Sequence, residues 1–322
     1  MHPAETLPQL RAFAREALFV TSTGTHLTQA EAAERAELSQ DAERIEFVWK
    51  EPGSGSWLGD FRIEEVLEVL RMCPNLECLA ARKLIEQDVI THLAPVVAKA
   101  MPQLRHLDLT HISDQPLGTR CLLESCKDLI SLTMARLQFE SRLLVGPMVS
   151  RHGHSLESLR IHECARVTSQ EVNMILSSCR RLKSFYAMAG NYVPGWSMAT
   201  ASPILNINDM AMVPEKPGWV CKDIKTLELC YSGMDTNIGI PEVLWRQIVQ
   251  LQKLKDLRIY RHPCCEEEAV HEKESVRQAV SSWLALSDLR RLELRELRAF
   301  VDEALVKQAK SQWAKLEWIR CI

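Results

Sequence analysis

The sequence predicts an α/β solenoid that has a parallel sheet on its concave side and helices on its convex side. The first observation is a short pattern, Leu-x-x-Leu-x-Leu or a close relative, that recurs nine times in 322 residues. The second is its spacing, because the intervals between first positions lie between 25 and 30 residues apart from two of 35 and 42. A period in this range carrying this pattern indicates stacked repeats. The nine first positions are Leu76, Leu104, Leu129, Leu156, Leu182, Ile224, Leu254, Leu289 and Leu316.

The repeat that starts at Leu156 shows what one unit contains. Residues 158–162 alternate between apolar and polar, as a strand with one buried face does. Apolar residues then follow at helical spacing, and Thr168 with Glu171 forms the pattern of a capping box. One repeat is therefore a strand, a turn, a helix and a return, which buries its strand face only when repeats stack. The motif and its period together predict a leucine-rich-repeat horseshoe.

The repeat domain is predicted to occupy residues 41–322, with about nine or ten repeats. Residues 44–49 resemble one earlier strand and would form a degenerate first repeat. Residues 1–40 carry apolar residues at helical spacing from Leu7 to Leu18, so we expect an N-terminal capping helix and linker there. Helices of the repeats are predicted at 63–72, 89–100, 270–286 and 300–313.

An insertion interrupts the repeats at residues 190–218. It accounts for the interval of 42 residues after Leu182, and it is rich in Pro and Gly. Insertions in solenoids often lie on the binding face. Two interpretations stay open, a loop packed on the scaffold by its own aromatic residues and a lid that contacts a ligand. In the second, the protein-binding residues are Tyr192, Trp196 and Trp219.

The overall charge gives no general attraction to nucleic acid or to an anionic membrane. The chain has 39 Lys and Arg against 42 Asp and Glu, a net charge of −3, so neither class of partner is expected. No apolar run is long enough to span a membrane, and the first residues lack the apolar core of a signal peptide. We therefore expect the protein in the cytoplasm or the nucleus, with its cysteines reduced.

Cysteines recur at one position of the repeat. Cys73, Cys126 and Cys179 are 53 residues apart, and each lies three residues before the first position of its motif, as Cys221 does. Free cysteine behaves as a small buried hydrophobic residue. These thiols are therefore predicted to pack at the corner between helix and strand, and metal binding or a redox switch is the alternative.

The remaining chemical motifs are weak. Residues 53–59 (Gly-Ser-Gly-Ser-Trp-Leu-Gly) are similar to a dinucleotide-binding turn, but their spacing is wrong by one residue, so a flexible turn is favoured. No phosphate-binding loop, nucleophile elbow or zinc-protease motif is present. We therefore predict no catalytic residue, no metal and no cofactor, with an enzyme as a distant alternative. One group of residues could form a metal site, namely His262, Cys264, Cys265 and His271. Its spacing is unlike that of structural zinc sites, so we predict a solvated connection between repeats there.

The residues between the apolar positions of each motif should face solvent from the concave sheet. The middle of this surface is nearly uncharged, and its C-terminal part is rich in Arg with Tyr and Trp beside it. These three residue types are enriched where binding energy concentrates. The candidate protein-binding residues of the concave face are His106, Asp108, Arg160, His162, Tyr186, Met188, Glu228, Arg258, Tyr260, Arg291, Arg295 and Trp318.

Two segments carry a resemblance to a known family. They are the repeat from Leu156 to Cys179, with Cys164 at its turn, and residues 217–221 (Pro-Gly-Trp-Val-Cys). With these segments, residues 70–322 resemble the cysteine-containing, ribonuclease-inhibitor-like repeats of F-box/LRR proteins, especially those of early-diverging filamentous fungi. The resemblance implies a substrate receptor of a cullin-type ubiquitin ligase, in which an F-box docks the ligase adaptor and the repeats hold the substrate.

The N-terminal part departs from that family. Leu7-Pro8 matches the start of an F-box, but residues 30–37 and the strand-like residues 45–49 do not fit its helices. The resemblance therefore implies a protein substrate on the concave face, and it implies a ligase adaptor only if an F-box exists. A stand-alone scaffold or an inhibitor unrelated to ubiquitination is the alternative.

Overall fold

A computed structural model of the chain divides into two compact units, Met1–Phe139 and Glu140–Ile322. It describes residues 17–21, 42–48, 67, 70–71, 73–82, 89–110, 116–137, 142–164, 167–188, 205–206, 218–232, 242–261, 277–295 and 303–321.

The first unit contains five strands that pair in chain order. Strands β2 to β5 are parallel and in register, so that Cys78 pairs with His106 and His106 pairs with Ser131. Its strands are β1 (Ala17–Thr21), β2 (Ala42–Val48), β3 (Cys78–Arg82), β4 (His106–Thr110) and β5 (Ser131–Ala135). Its helices include α1 (Val89–Ala100) and α2 (Pro116–Ser125). The predicted strand at 44–49 and helix at 89–100 are confirmed, and Leu67 and Leu70 of the predicted helix at 63–72 are helical.

The N-terminal strand corrects one prediction. The helical spacing that starts at Leu7 predicted a helix through Ala17 and Leu18, but these residues lie in β1, which pairs antiparallel with β2. Phe19, Val20 and Thr21 continue that strand, and such residues favour extended backbone. Pairing with β2 also satisfies backbone groups along that side of β2. The rest of the predicted capping helix lies outside the described residues.

The second unit repeats the same architecture. Its strands run parallel in the order β6-β7-β9-β10-β11-β12, and the short β8 pairs with β9. The strands are β6 (Ser158–His162), β7 (Ser184–Met188), β8 (Leu205–Asn206), β9 (Thr226–Ser232), β10 (Asp256–Arg261), β11 (Arg291–Arg295) and β12 (Trp318–Cys321). The helices include α3 (Arg142–His152), α4 (Ser169–Ser178), α5 (Glu242–Val249) and α6 (Glu303–Gln312). Residues 277–283 are also helical.

Within each unit, successive repeats join through the same corner. The carbonyl of the residue before most of the strands accepts the N–H groups of two consecutive residues in the following repeat; Lys183 and Ser184, for example, both donate to the carbonyl of Glu157. Parallel strands returned by helices at the leucine-motif spacing are the α/β fold of a leucine-rich-repeat solenoid. The predicted fold class is therefore confirmed.

The recurrent cysteines pack at this corner, as predicted. Cys73, Cys126, Cys179 and Cys221 are all buried. Burial raises the pKa of the Cys73 thiol to about 11 and that of Cys179 to about 12. A thiol with so high a pKa is protonated at neutral pH and hence a poor metal ligand or nucleophile.

The capping box predicted for the repeat that starts at Leu156 is present. The side chain of Thr168 accepts a hydrogen bond from the backbone N–H of Gln170, and the Glu171 carboxylate accepts one from the backbone N–H of Thr168 at 2.8 Å. These bonds satisfy N–H groups that a helix otherwise leaves unpaired at its start. They fix the start of α4 directly after β6.

The insertion does not change the register of the sheet. Strands β7 and β9 flank it, and Ser184 pairs with Thr226 as directly as neighbouring repeats pair elsewhere. The N–H groups of Lys225 and Thr226 donate to the carbonyl of Lys183.

The predicted helices near the C-terminus match helical residues 277–283 and α6. No helix among the residues that the structure describes is long and apolar enough to cross a membrane.

Candidate functional site

The strands of the second unit have one apolar face and one polar face. Leu159, Ile161, Leu227 and Leu257 are fully buried, whereas the residues between the apolar positions lie on the other side of the pleat. We call this second side the open face. It comprises Ser158, Arg160, His162, Ser184, Tyr186, Met188, Thr226, Glu228, Cys230, Asp256, Arg258, Tyr260, Arg291, Glu293, Arg295, Trp318 and Arg320.

The parallel register aligns the centre of the open face into one row. Each residue of this middle row is the direct neighbour of the next on the adjacent strand. From β6 to β12 the middle row reads Arg160, Tyr186, Glu228, Arg258, Glu293 and Arg320. Positive and negative side chains therefore alternate over the C-terminal part of the row, where neighbouring strands lie about 4.8 Å apart.

Three carboxylates form the floor of the open face. The relative exposure of Glu228 is 5%, that of Glu293 is 3% and that of Asp256 is 9%. An ionised carboxylate that is buried without a partner is costly. Each of the three has a guanidinium within ion-pair distance, from Arg258 or Arg295.

Arg258 lies over this floor and contacts all three carboxylates. Its Nη1 lies 3.2 Å from Oε2 of Glu228, and its Nη2 lies 3.2 Å from Oδ2 of Asp256. Its Nε lies 3.8 Å from Oε2 of Glu293. The Arg258 side chain is still 31% exposed, so one guanidinium neutralises buried charge and also faces solvent.

Arg295 combines an ion pair with aromatic stacking. Its Nε donates to Oε1 of Glu293 at 2.7 Å, and its guanidinium carbon lies 4.6 Å from the centre of the Tyr260 ring. Tyr260 is buried beneath it, and burial raises the pKa of the Tyr260 hydroxyl to about 12, which nearby Glu228 and Glu293 reinforce. The phenol is therefore neutral at physiological pH.

Arg160 stacks in the same way at the other end of the middle row. Its guanidinium carbon lies 4.8 Å from the centre of the Tyr186 ring, and its side chain is exposed. Burial raises the pKa of the Glu228 carboxyl, although the positive charges of Arg258 and Arg160 oppose that shift. The solvent-facing layer consequently presents guanidinium groups and aromatic rings, and the carboxylates lie beneath it.

The remaining predicted residues of this unit lie at the edges of the open face. His162 Nε2 lies 2.9 Å from Oε1 of Glu163, and Met188 packs against Cys230 and Tyr260. Arg291 Nε donates to Oε2 of Glu317 at 3.1 Å, and Trp318 is half-buried on β12. The register therefore places nine predicted residues of the second unit on one face: Arg160, His162, Tyr186, Met188, Glu228, Arg258, Tyr260, Arg291 and Arg295, with Trp318 beside them on the last strand.

His106 and Asp108 lie on β4 of the first unit and are both half-buried. The Thr110 hydroxyl donates to Oδ1 of Asp108 at 2.6 Å. Their neighbours on β5 are the uncharged Ser131 and Thr133. The described part of this sheet therefore lacks the ionic floor of the second unit.

Trp219 is a candidate binding residue only if the insertion is a lid, and the structure packs it on the scaffold, as the other interpretation expects. It is only 2% exposed, and its Nε1 donates to Oδ1 of Asn173 at 3.2 Å. Its backbone N–H donates to Oε1 of Gln247 at 3.0 Å. Trp219 therefore fastens the end of the insertion to α4 and α5, and we leave it out of the proposed binding surface. Tyr192 and Trp196 lie outside the described residues.

Asp256, Glu293 and Arg320 also belong to the site. Their motif positions put them on the concave face, but motif position alone does not distinguish a carboxylate buried beneath a guanidinium from one exposed to solvent. Among the described residues no group of three or more His, Cys, Asp or Glu could hold a metal ion. The His262–His271 cluster and residues 53–59 lie outside the described residues.

No protein-family model matches the chain, and no curated protein matches it. Among solved structures, the chain is similar to one from the crystal structure of the Rad7 and Elc1 complex in yeast, with 16% identity and a TM-score of 0.42 over 80% of this chain and 65% of that chain. It is also similar to the leucine-rich repeat-containing protein LegL7 from Legionella pneumophila, with 10% identity and a TM-score of 0.35 over 82% of this chain and 79% of that chain. The chain thus spans less than two thirds of the yeast chain.

Proposed function

We propose that this chain is a non-enzymatic protein-binding module and that the open face of the second unit binds its partner. The observation that carries the proposal is the layer of guanidinium groups and aromatic rings held above buried carboxylates. Arg and aromatic residues dominate the binding energy of protein interfaces. An Arg whose side chain is already held by an ion pair or a ring loses less conformational entropy on binding. The open face is therefore pre-organised for binding.

The partner class follows from the layout of the face. The middle row spans six parallel strands, which is about 24 Å at the usual strand spacing. A surface of that length matches a protein segment better than a small molecule, because small-molecule sites are concave pockets that enclose most of the ligand. We propose that the protein acts in the cytoplasm or the nucleus, where its buried thiols stay reduced.

We further propose substrate recognition in an F-box-like ubiquitin-ligase pathway as the biological role. Support comes from the resemblance of the repeats to those of F-box/LRR proteins, and from the buried cysteines at the repeat corners that are part of it. A stand-alone scaffold or inhibitor is the alternative, and it is favoured by the departure of the N-terminal residues from the F-box pattern. Co-purification of a cullin-ligase adaptor separates the two.

The test of binding is an affinity purification of the tagged chain from its native cell extract with two matched variants. The face variant carries Tyr186→Ser and Trp318→Ser, which are half-buried residues of the open face. The control variant carries Leu143→Ser and Met174→Ser, exposed residues of α3 and α4. The proposal expects a partner that the wild type and the control variant retain and the face variant loses. Retention by the face variant, with both variants folded by circular dichroism, would overturn it.

A further inference from the structure

We propose that the open face binds an extended acidic peptide that crosses the strands, with its carboxylates on Arg160 at one end and on Arg295 and Arg320 at the other. This inference rests on the proposed function and adds the chemistry of the partner.

Two cations of the middle row, Arg160 and Arg320, form no ion pair with a carboxylate among the described residues. Arg160 contacts the Tyr186 ring, and Arg320 lies exposed at the end of the middle row, next to Glu293 in register. Arg291 is already paired with Glu317, so four arginines of the open face, Arg160, Arg258, Arg295 and Arg320, are set against Glu228, Asp256 and Glu293. An anionic partner would complete this charge balance.

Arg295 is also able to accept an external carboxylate. Its Nε is used by Glu293 and its flat face by Tyr260. A guanidinium has five N–H donors, so the Nη groups of Arg295 keep donors for a ligand. Stacking and the ion pair fix the plane of the group, which favours a two-pronged bond to a carboxylate.

The spacing of the two ends sets the length of the peptide segment. Arg160 on β6 and Arg320 on β12 are five strand steps apart along the middle row, which is about 24 Å. An extended chain advances about 3.3 Å per residue. Acidic residues about seven positions apart would therefore reach both ends.

The side chains between the two ends determine which peptide residues are unfavourable at the positions above them. Tyr186 and Glu228 lie between Arg160 and Arg258. Glu228 is buried and acidic, so an acidic peptide residue above it would be repelled, whereas an apolar residue could pack on the Tyr186 ring. A nucleic acid carries a phosphate at every step and would place charge over Glu228. The layout therefore favours a peptide with two separated acidic positions.

The test uses fluorescence polarisation with the full chain and three labelled peptides. The first has acidic residues at two positions about seven apart with neutral residues between them, the second has Gln at both positions, and the third has an additional Glu in the middle. We expect the Gln peptide to bind about tenfold more weakly than the first, because two charge-assisted hydrogen bonds are lost. The third should also bind more weakly than the first. A labelled oligothymidine serves as the nucleic-acid probe and should not compete.

Matched variants assign the effect to the open face. Arg160→Gln with Arg320→Gln should clearly reduce the preference for Glu over Gln. Arg180→Gln with Lys310→Gln removes the same charge from exposed positions outside the open face and should keep the preference. Because all four residues are exposed, these changes should leave the fold intact, which thermal unfolding checks.

Three results would overturn the inference: equal binding of the Glu and Gln peptides, no binding of either, or tighter binding of the oligothymidine. If the captured partner is lost with Tyr186→Ser and Trp318→Ser but is retained by Arg160→Gln with Arg320→Gln, the proposed function stands and the acidic-peptide inference fails. If neither pair of changes affects the partner, both fail.

Discussion

Arg258 on β10 and Glu228 on β9 form an ion pair in which Nη1 lies 3.2 Å from Oε2. The register of the two strands pairs them directly. Because Glu228 is buried and Arg258 is partly exposed, the pair joins the floor of the open face to its solvent-facing layer. The stability of the second unit and the charge that its open face presents to solvent therefore depend on the same guanidinium.

Replacement of Arg258 should destabilise the protein strongly. Arg258→Ala leaves Glu228 and Asp256 buried without their guanidinium, and the expected loss in the free energy of unfolding is about 3 kcal/mol. Urea denaturation measures it. The control is Arg181→Ala, which breaks an exposed ion pair with Glu157 and should cost less than about 1 kcal/mol. A loss no greater than that of the control would contradict the structure of the floor.

Glu228→Gln and Glu157→Gln should change the pH dependence of stability in opposite directions. Burial raises the pKa of Glu228, so its carboxyl binds a proton more readily in the folded state. The wild type should lose stability relative to Glu228→Gln as the pH rises from the ordinary pKa of glutamate through the raised one.

For Glu157 the sign is reversed. The ammonium group of Lys183 lies 2.6 Å from Oε2 of Glu157 and, with Arg181, lowers the pKa of that carboxyl. The wild type should therefore lose stability relative to Glu157→Gln as the pH falls through the lowered pKa. Urea denaturation between about pH 3 and pH 7 measures both differences. Two differences of the same sign would contradict the placement of one of these carboxylates.

The hydrogen bond between Trp219 and Asn173 predicts a measurable coupling. Trp219→Phe removes the N–H donor and leaves Oδ1 of Asn173 buried, so the loss should be about 1–2 kcal/mol. A double-mutant cycle with Asn173→Ala isolates the pair and should give a coupling of about 1 kcal/mol. A coupling near zero would mean that Trp219 is held by packing alone.

The start of α4 provides a test of local structure. Thr168→Ala removes the side chain that accepts from the N–H of Gln170 and should cost about 1 kcal/mol. Thr168→Ser keeps the hydroxyl and should cost clearly less, which thermal or urea unfolding compares. If both variants lose the same stability, the capping bonds are not what fixes the start of the helix.

Much of the fold could be predicted because the spacing of the apolar residues reveals the repeat. Leu159 and Ile161 are buried and Arg160 is exposed, as a period of two requires. The face of each polar residue then follows from its place in the motif. The same reasoning predicted that Cys179 and its equivalents lie at the corner between helix and strand, because a cysteine recurs three residues before the first position of the motif.

The rest depends on contacts that are distant in sequence. Trp219 is buried by partners 46 residues earlier and 28 residues later, so its position beside a Pro- and Gly-rich insertion could not decide between packing on the scaffold and exposure in a lid. Ala17 and Leu18 follow a helical spacing but pair with β2. Glu228 and Arg258 occupy equivalent positions of adjacent motifs, and only the three-dimensional structure shows that the carboxylate lies beneath the guanidinium.

Hydroxyl-radical footprinting of the complex between the chain and its captured partner tests most directly whether the open face is the binding surface. The account predicts that Tyr186, Met188 and Trp318 become protected when the partner binds, and that Met174, exposed on α4, stays as reactive as in the free chain. Protection of Met174 with no change at Tyr186 and Trp318 would contradict it and would place the partner on the helices.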